Sequence, residues 1–136
     1  MALVFFDETF AKGLREQFRL GQKEEAAYDL KREADRAMPL GPWSVTYHKS
    51  PAKSSNPHDY FSEGPYWWPN PEDPSGPYIR RDGEKNPDLF EFHRNDLKQM
   101  TQTALLLAAA GYCLDEPTYT KRAYELLAVW FVEEET

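Results

Sequence analysis

One segment, residues 59–83, carries the side chains best suited to chemistry, and it reads DYFSEGPYWWPNPEDPSGPYIRRDG. Its consecutive aromatics are Tyr66, Trp67 and Trp68, and its adjacent arginines are Arg80 and Arg81. Indole and phenol rings have broad apolar faces and polar edges, which suits them to stacking on pyranose rings. A guanidinium matches a carboxylate bidentately. These residue types can stack on a flat apolar surface and pair with an anionic group.

Alternation along an extended segment limits how many of these side chains can face one surface. Successive side chains point to opposite sides, so one of Trp67 and Trp68 would face a ligand while the other anchors the segment. The alternative is that both indoles are core anchors. Likewise, at most one arginine of the pair faces a given groove, and the alternative for both is a salt bridge to Asp82 or Glu84.

Two further candidates, His58 and Tyr60, flank Asp59 and lie on the same side of an extended segment. Imidazole and phenol groups are both capable of proton transfer. Asp59 is expected to orient the segment by capping or pairing. The alternative for His58 is a solvated loop histidine.

No metal or cofactor site is indicated. The three histidines, His48, His58 and His93, form no HExxH pattern, and Cys113 is the only cysteine, so no internal disulfide can form. Prolines interrupt the acidic residues around Glu72, which argues against a calcium loop. A glycine-rich phosphate loop and a Gly-x-Ser-x-Gly pattern are absent. We therefore expect neither a metal nor a cofactor.

The charge balance narrows the class of partner. The 136 residues include 23 acidic and 16 basic side chains, for a formal net charge of -7. Nucleic acids and anionic membranes both require a basic footprint, so neither is expected as a partner. No apolar stretch approaches the ~18 residues of a membrane span. The start, MALVFFDETF, lacks the basic region and cleavage pattern of a signal peptide.

Residues 7–38 are mostly helix-forming residues, so the sequence predicts two helices there. Asp7 or Thr9 can cap the first, and Gly21 is expected to end it. The apolar positions at helical spacing are Phe10, Leu14 and Phe18 in the first helix and Ala26, Ala27, Leu30, Ala34 and Ala37 in the second.

The helical period returns in residues 94–136. Asn95 or Asp96 is expected to cap the third helix, with His93 as a capping or surface residue, and Pro117 is expected to open the fourth. The positions expected to face inward are Leu97, Met100, Ala104, Leu105, Ala108 and Tyr112, followed by Tyr119, Ala123, Leu126, Leu127 and Trp130. The short connection between the two helices predicts an antiparallel αα-hairpin.

Between these helical parts, residues 39–93 hold ten of the eleven prolines, which excludes a helix and argues against strands. Long irregular segments are usually functional or disordered, and disordered segments are poor in aromatics. This segment is rich in them, so we predict an ordered, functional loop. Turns are indicated at residues 73–76 and 82–83 and at the asparagines that precede proline, Asn56, Asn70 and Asn86. The alternating stretch WSVTYH, residues 43–48, predicts a short edge strand.

The stretch from residue 59 to residue 87 resembles the signature of the alginate-lyase-like polysaccharide lyases. The blocks that carry the resemblance are DYFS, PYWWPNP, GPYIRRDG and NP. The lead-in PLGPWSVTYH and the helical hairpin that ends in LLAVWF also resemble segments of that family. The similarity therefore extends over most of the chain.

This resemblance implies an all-α fold, the N-terminal portion of an (α/α) toroid of antiparallel helical hairpins with a long ordered Pro/aromatic-rich loop. It implies a groove for an acidic polysaccharide such as alginate or glucuronan, and a secreted or periplasmic location. Such enzymes cut by β-elimination: they neutralise the C6 carboxylate of a uronic acid, remove the C5 proton and expel the 4-linked sugar. Tyr60 is the positional match to a lid-loop tyrosine that contacts the sugar. The expected substrate-binding residues are His58, Tyr60, Tyr66, Trp67, Trp68, Arg80 and Arg81.

The family's catalytic group of Asn-His, Arg and Tyr lies mostly C-terminal to this sequence, and no histidine follows His93. The acidic end, EEET, lies where a helix macrodipole disfavours negative charge. We therefore expect residues 1–136 to form a single incomplete domain (7–38 helices, 39–93 loop, 94–136 hairpin). The main catalytic residues are expected beyond Thr136, with the rest of the toroid as partner. Apolar helix faces left exposed would then cause association or instability.

Two other functions remain open. A glycoside hydrolase on a similar toroid needs two opposed carboxylates. Glu63, Glu72 and Asp73 are present, but they lie in turns and no pair is singled out. A non-catalytic module is the other alternative, in which the aromatic loop recognises a sugar or a proline-rich partner, or the helices bind another protein.

Overall fold

The computed structural model describes residues 7–51 and 56–136, which form four helices and the described parts of a long connection. The helices are α1 (Glu8–Arg19), α2 (Glu24–Ala37), α3 (Phe92–Cys113) and α4 (Pro117–Phe131). The connection between α2 and α3 contains a 3₁₀ turn (Val45–Tyr47) and two short strands, β1 (Trp67–Trp68) and β2 (Ile79–Arg80). The all-α class is confirmed. The apolar run at residues 2–6, part of the start that lacks signal-peptide features, lies outside the described residues.

Helix α1 begins and ends where the sequence predicts. The Phe10 N–H donates to the Asp7 side chain at 2.8 Å, and Gly21 adopts a φ of 69° in the connection to α2. Of the predicted apolar face, Leu14 and Phe18 are half-buried, but Phe10 is exposed and Ala11 is buried in its place. The buried side of α1 is therefore rotated by about one residue from the prediction.

The core lies between α2, α3 and α4. Its buried members are Ala34, Ala37, Met100, Ala104, Leu107, Ala110, Tyr119, Ala123 and Leu126. The expected inward positions Leu105, Ala108, Ala26 and Leu127 are wrong, because these side chains are exposed. In α3 the residues buried instead include Leu107 and Ala110, which continue the three- and four-residue spacing from Met100 and Ala104.

Helices α3 and α4 form the predicted antiparallel hairpin and approach closely at its turn. Pro117 opens α4, and Thr118 Oγ1 donates to the Glu116 carboxylate at 2.9 Å. A Cβ at Gly111 of α3 would lie 2.8 Å from the Thr120 backbone nitrogen and 3.2 Å from the Glu116 carbonyl oxygen. Gly111 therefore permits the contact between the two helices.

The start of the long connection is fixed to α4. The Arg122 guanidinium donates to the carbonyls of Met38 at 3.2 Å and Leu40 at 2.9 Å. The edge strand predicted at residues 43–48 is wrong: the Ser44 hydroxyl accepts the Thr46 N–H at 3.1 Å and stabilises the 3₁₀ turn instead.

The expectation that no strand forms among the prolines is also wrong in one place. Trp67 pairs with Arg80 and Trp68 with Ile79 in an antiparallel ladder. Prolines flank these two-residue strands without interrupting them, so the ladder loses no N–H donor.

Candidate functional site

His93, in the first turn of α3, fastens the loop to the helical body. Only 1% of this residue is exposed. Its Nδ1 accepts the Phe61 N–H at 3.0 Å, and its Nε2 lies 2.8 Å from the His48 carbonyl oxygen. One ring nitrogen faces a donor and the other an acceptor, which fits the neutral Nε2–H tautomer. The prediction of a capping or surface histidine is wrong, because this ring satisfies two backbone groups of the loop.

The predicted cap at Asn95 or Asp96 is wrong as well, since α3 already begins at Phe92. Asp96 is 8% exposed, and its Oδ2 lies 3.3 Å from His48 Nε2. The His48 ring also stacks on Phe92, with ring centroids 4.6 Å apart. Asp96 therefore faces the base of the loop instead of the end of the helix.

Glu63 joins distant parts of the loop. Its Oε1 accepts the Tyr78 hydroxyl at 2.7 Å, and its Oε2 accepts the Phe90 N–H at 2.8 Å. The hydrogen bond to Glu63 raises the pKa of Tyr78 above its usual value. The Phe90 ring packs edge-on against Phe61 at 5.9 Å and against His93 at 4.7 Å between centroids. Both carboxylate oxygens of Glu63 are thus engaged within the loop.

Backbone and amide hydrogen bonds hold the β1–β2 hairpin in one register. Trp67 lies opposite Arg80, and next to this pair the Arg81 N–H donates to the Tyr66 carbonyl at 2.9 Å. The buried side chain of Asn86 donates from Nδ2 to the Trp67 carbonyl at 3.2 Å. The Trp67 N–H in turn donates to the Gly64 carbonyl at 3.1 Å, so both backbone groups of Trp67 have partners.

The turns of the loop form as predicted. The Oδ1 atoms of the asparagines accept the backbone N–H two residues later, at 3.0 Å for Asn56, 3.1 Å for Asn70 and 3.0 Å for Asn86. The Gly76 N–H closes the turn at residues 73–76 onto the Asp73 carbonyl at 3.0 Å. Gly83 has a φ of 84°, which a glycine adopts without strain.

The two tryptophans of β1 have different surroundings. Trp67 is 45% exposed. Trp68 is half-buried, its Nε1–H donates to the Glu84 carbonyl at 3.0 Å, and the Arg81 guanidinium lies 4.7 Å from its ring centroid. The alternation of the strand thus leaves one indole in solvent and uses the other as an anchor. Contact of Trp67 with a ligand stays a prediction.

The arginine pair is divided in the same way. Residues directly opposite each other in an antiparallel ladder share a face of the sheet, so the exposed Arg80 lies beside the exposed Trp67. Arg81, on the other side, is half-buried against Trp68. One face of the hairpin therefore presents an indole and a guanidinium together.

Both arginines also make the ion pairs considered as alternatives to ligand binding. Arg80 Nε donates to Asp82 at 2.6 Å, and Arg81 lies 3.8 Å from the Glu84 carboxylate. An exposed ion pair is worth only about 0–1 kcal/mol, so a ligand carboxylate can compete with Asp82 for Arg80.

The remaining predicted residues lie apart from this face or at its edge. Tyr66 is exposed directly before β1, and the exposed Tyr60 has its ring 5.9 Å from that of His93. His58 is exposed, and its backbone N–H donates to the Asn56 side chain. Within residues 56–136, no hydrogen bond, ion pair or ring contact joins His58 or Tyr60 to the β1–β2 hairpin. The hairpin thus collects Tyr66, Trp67, Trp68, Arg80 and Arg81.

A cavity of about 520 Å³ lies behind the hairpin, between the loop and the start of α3. Trp68 is the member of the predicted set that lines it, together with Lys49, Glu63, Asn86, Phe90 and Phe92. Of these, Glu63 and Asn86 already form hydrogen bonds within the loop. A larger groove of about 1010 Å³ runs along α1, α3 and α4, away from the hairpin.

Sequence reasoning missed the importance of His93, Glu63 and Asn86. Local sequence places each of them in a turn or a cap, because their hydrogen-bond partners are distant in sequence. Phe90, whose ring packs edge-on against that of His93, is the local signal that this histidine is buried.

Between residues 7 and 51 and between 56 and 136, no three His, Cys, Asp or Glu side chains are placed to hold a metal ion together. In the same ranges, none of the helices has the length and apolar content needed to cross a bilayer.

Comparison with known proteins places the chain in a family. Residues 44–136 match the sequence model of the family described as Alginate lyase. A crystal structure of an alginate lyase from Bacteroides ovatus superposes with a TM-score of 0.74 at 37% identity, over 93% of this chain and 33% of that one. This chain thus spans about a third of the length of that relative. No curated protein matches. Because the family match covers more than half of the residues, the chain belongs to the alginate lyase family.

Proposed function

We propose that this chain contributes a substrate-binding loop to a polysaccharide lyase that cleaves a uronic-acid polymer, such as alginate or glucuronan, by β-elimination. The observation that carries the proposal is the face shared by Trp67 and Arg80, both exposed on a loop that partly buried hydrogen bonds hold in place. Family membership and the alginate lyase from Bacteroides ovatus support the reaction class.

The chemistry of a uronate fits this face. The apolar side of the sugar ring stacks on the Trp67 indole, and its C6 carboxylate displaces Asp82 from Arg80. Opposite positions of an antiparallel ladder lie about 5 Å apart between Cβ atoms, a spacing that one sugar residue can bridge. The guanidinium also offsets, at this point, the repulsion between an acidic polymer and a chain of net charge -7.

Charge neutralisation is the part of the reaction that this loop can assist. Removal of the C5 proton places enolate charge on the carboxylate, and a positive partner for it lowers the barrier. In this proposal, proton transfer from C5 and to the leaving oxygen is performed by residues from the rest of the protein. The remaining helices of an (α/α) toroid are accordingly the proposed structural partner of this chain.

The rigidity of the loop favours binding of a sugar. Prolines restrict the unbound chain, and His93, Glu63 and Asn86 bond it internally, so little conformational entropy is lost when a sugar binds. Tyr66, next to Trp67, and Tyr60, which precedes the hairpin along the loop, are proposed to extend the contact to neighbouring sugar residues. A secreted or periplasmic location, where such polymers are met, belongs to the same proposal.

Ultraviolet absorbance tests the reaction. The chain alone and the full-length product of its gene are incubated with alginate and with polyglucuronate, and the unsaturated product is followed. We expect absorbance to rise with the full-length protein. New reducing ends without absorbance would establish hydrolysis in place of elimination, and binding without cleavage by either protein would establish a carbohydrate-binding module. Glu63, one of the carboxylates that a hydrolase could use, has both oxygens engaged within the loop.

A further inference from the structure

Gly64 lies directly against the exposed indole of Trp67. A Cβ at this glycine would be 2.6 Å from Cδ1 of the indole and 3.3 Å from its Nε1. The Trp67 backbone N–H also donates to the Gly64 carbonyl at 3.1 Å. The pyrrole edge of the indole therefore occupies the space that any side chain at position 64 would need.

The backbone conformation does not explain a glycine here. The glycines with positive φ are Gly21, Gly41 and Gly83, so Gly64 adopts angles open to other residues. Gly13, by comparison, lies within α1 and has no atom within 4 Å of the place of a Cβ. What distinguishes Gly64 is the neighbouring indole.

The backbone on both sides of this contact is held in place. On one side, Glu63 is bonded to Tyr78 and Phe90, and Pro65 accepts the Asn86 N–H at 2.8 Å. On the other side, the Trp67 backbone is held by its ladder pairing and by the Asn86 side chain. Cδ1 lies close to the backbone, so a clash there is relieved only by rotating the whole indole.

We propose that Gly64 is a positioning residue, which sets the angle at which the Trp67 indole meets a sugar ring. This inference rests on the proposed function, and it assigns to Gly64 no contact with the sugar. A methyl group at position 64 turns the indole away from the face that it shares with Arg80, while Arg80 itself stays in place.

The test is a double-mutant cycle of Gly64→Ala and Trp67→Ala, with Gly13→Ala as the matched control. Binding of alginate and glucuronate oligosaccharides is measured by calorimetry on the full-length protein. We expect Gly64→Ala to weaken binding about tenfold or more, comparable to Trp67→Ala, and to have no further effect in the Trp67→Ala background. Equal losses in both backgrounds, or wild-type affinity of Gly64→Ala, would overturn the proposal.

A second measurement is independent of sugar binding. The near-ultraviolet circular dichroism of Trp67 is isolated by subtracting the spectrum of Trp67→Phe, with and without Gly64→Ala. We expect this difference spectrum to change with Gly64→Ala, and an unchanged one would contradict the positioning role. If the wild type binds no uronate, the proposed function fails while the spectra still decide the role of Gly64.

Folding of the variants is informative too. If Gly64→Ala does not fold, the added Trp67→Ala should restore folding, because it removes the group that the methyl meets. A double variant that stays unfolded would show that Gly64 is required for another reason, and would overturn the proposal.

Discussion

At the scale of residues, Trp67 and Trp68 are neighbours with opposite expected roles. Trp67→Ala should weaken uronate binding about tenfold or more and change stability little, because its indole is exposed. Trp68→Ala should lower the free energy of unfolding by about 2 kcal/mol, because its indole anchors Glu84 and Arg81. Calorimetry and urea unfolding of both variants separate the two roles. If Trp67→Ala lowered stability and Trp68→Ala weakened binding, the two roles would have to be exchanged.

His93→Ala removes the ring that fastens the loop to α3. It leaves the Phe61 N–H and the His48 carbonyl without their partner and opens a cavity, for an expected loss of about 3 kcal/mol. The control is His58→Ala, at an exposed histidine, which should change stability by less than about 0.5 kcal/mol. Urea unfolding measures both. Equal stabilities of the two variants would refute the fastening role.

The ionisation of Asp35 makes the stability of the fold depend on pH in the acid range. Its carboxylate accepts a hydrogen bond from Lys31 Nζ at 2.6 Å and another from the Tyr119 hydroxyl. The hydrogen bond from Lys31 is the main reason that the pKa of Asp35 lies below its usual value of 3.8. Because the folded state favours the charged carboxylate, this stabilisation is complete above pH 3.8 and is lost as the pH falls through the lowered pKa.

With Asp35→Asn, the free energy of unfolding should therefore fall less steeply as the pH is lowered. Urea unfolding between about pH 2 and pH 5 measures this pH dependence. The control is Tyr119→Phe, which keeps the buried ring but removes one hydrogen bond to Asp35. Parallel curves for the wild type and Asp35→Asn would contradict this prediction.

The residues of the candidate site divide into those that the sequence predicts and those that it cannot. Alternation along a strand is local, so the difference between Trp67 and Trp68 follows from their adjacency. The roles of His93 and Glu63 depend on partners far along the chain, and no local pattern contains them. Placing Arg80 beside Trp67 requires the register of a ladder, which only the folded loop provides.

At the scale of elements, Gly111 controls the approach of α3 to α4. Alanine for glycine inside a helix usually stabilises by about 0.5–1 kcal/mol, which is the expectation for Gly13→Ala in α1. At Gly111 the new methyl would meet the Thr120 nitrogen and the Glu116 carbonyl, so we expect a loss of about 1–3 kcal/mol. Thermal unfolding compares the two variants. Higher thermal stability of both variants would show that α3 and α4 can move apart without a loss of stability.

Helix ends are predictable where the signal is local. Asp7 caps α1 and Pro117 opens α4 as expected, since each acts within one turn. The start of α3 is mispredicted because the polar Asp96 resembles a cap, whereas it lies buried beside His48. The inward stripe of α3 is displaced from the prediction: Leu105 and Ala108 are exposed, whereas Leu107 and Ala110 are buried. Because residues 104–110 are all apolar, periodicity does not decide which of them face the core.

At the scale of the whole molecule, α4 presents an apolar face to solvent. Tyr124, Leu127 and Phe131 recur at helical spacing, and Tyr124 and Phe131 are 67% and 66% exposed. We expect the chain to associate as its concentration rises, because a contiguous apolar face of this kind is usually an interaction surface.

Sedimentation velocity measures this association. Tyr124→Lys combined with Phe131→Lys should reduce it, and Tyr28→Lys, at an equally exposed tyrosine of α2, should not. A monomer at all concentrations would contradict the expectation, as would an equal effect of Tyr28→Lys.

The short ladder of the hairpin has a consequence for hydrogen exchange. Few backbone bonds, among them Arg81 to Tyr66 and Asn86 to Pro65, hold this region, whereas the amides of α3 lie within a packed helical core. The hairpin can therefore open while the helices stay folded, and its amides should exchange faster than those of α3. A sugar bound across Trp67 and Arg80 would slow those few amides alone, and the degree of slowing would report the occupancy of the loop.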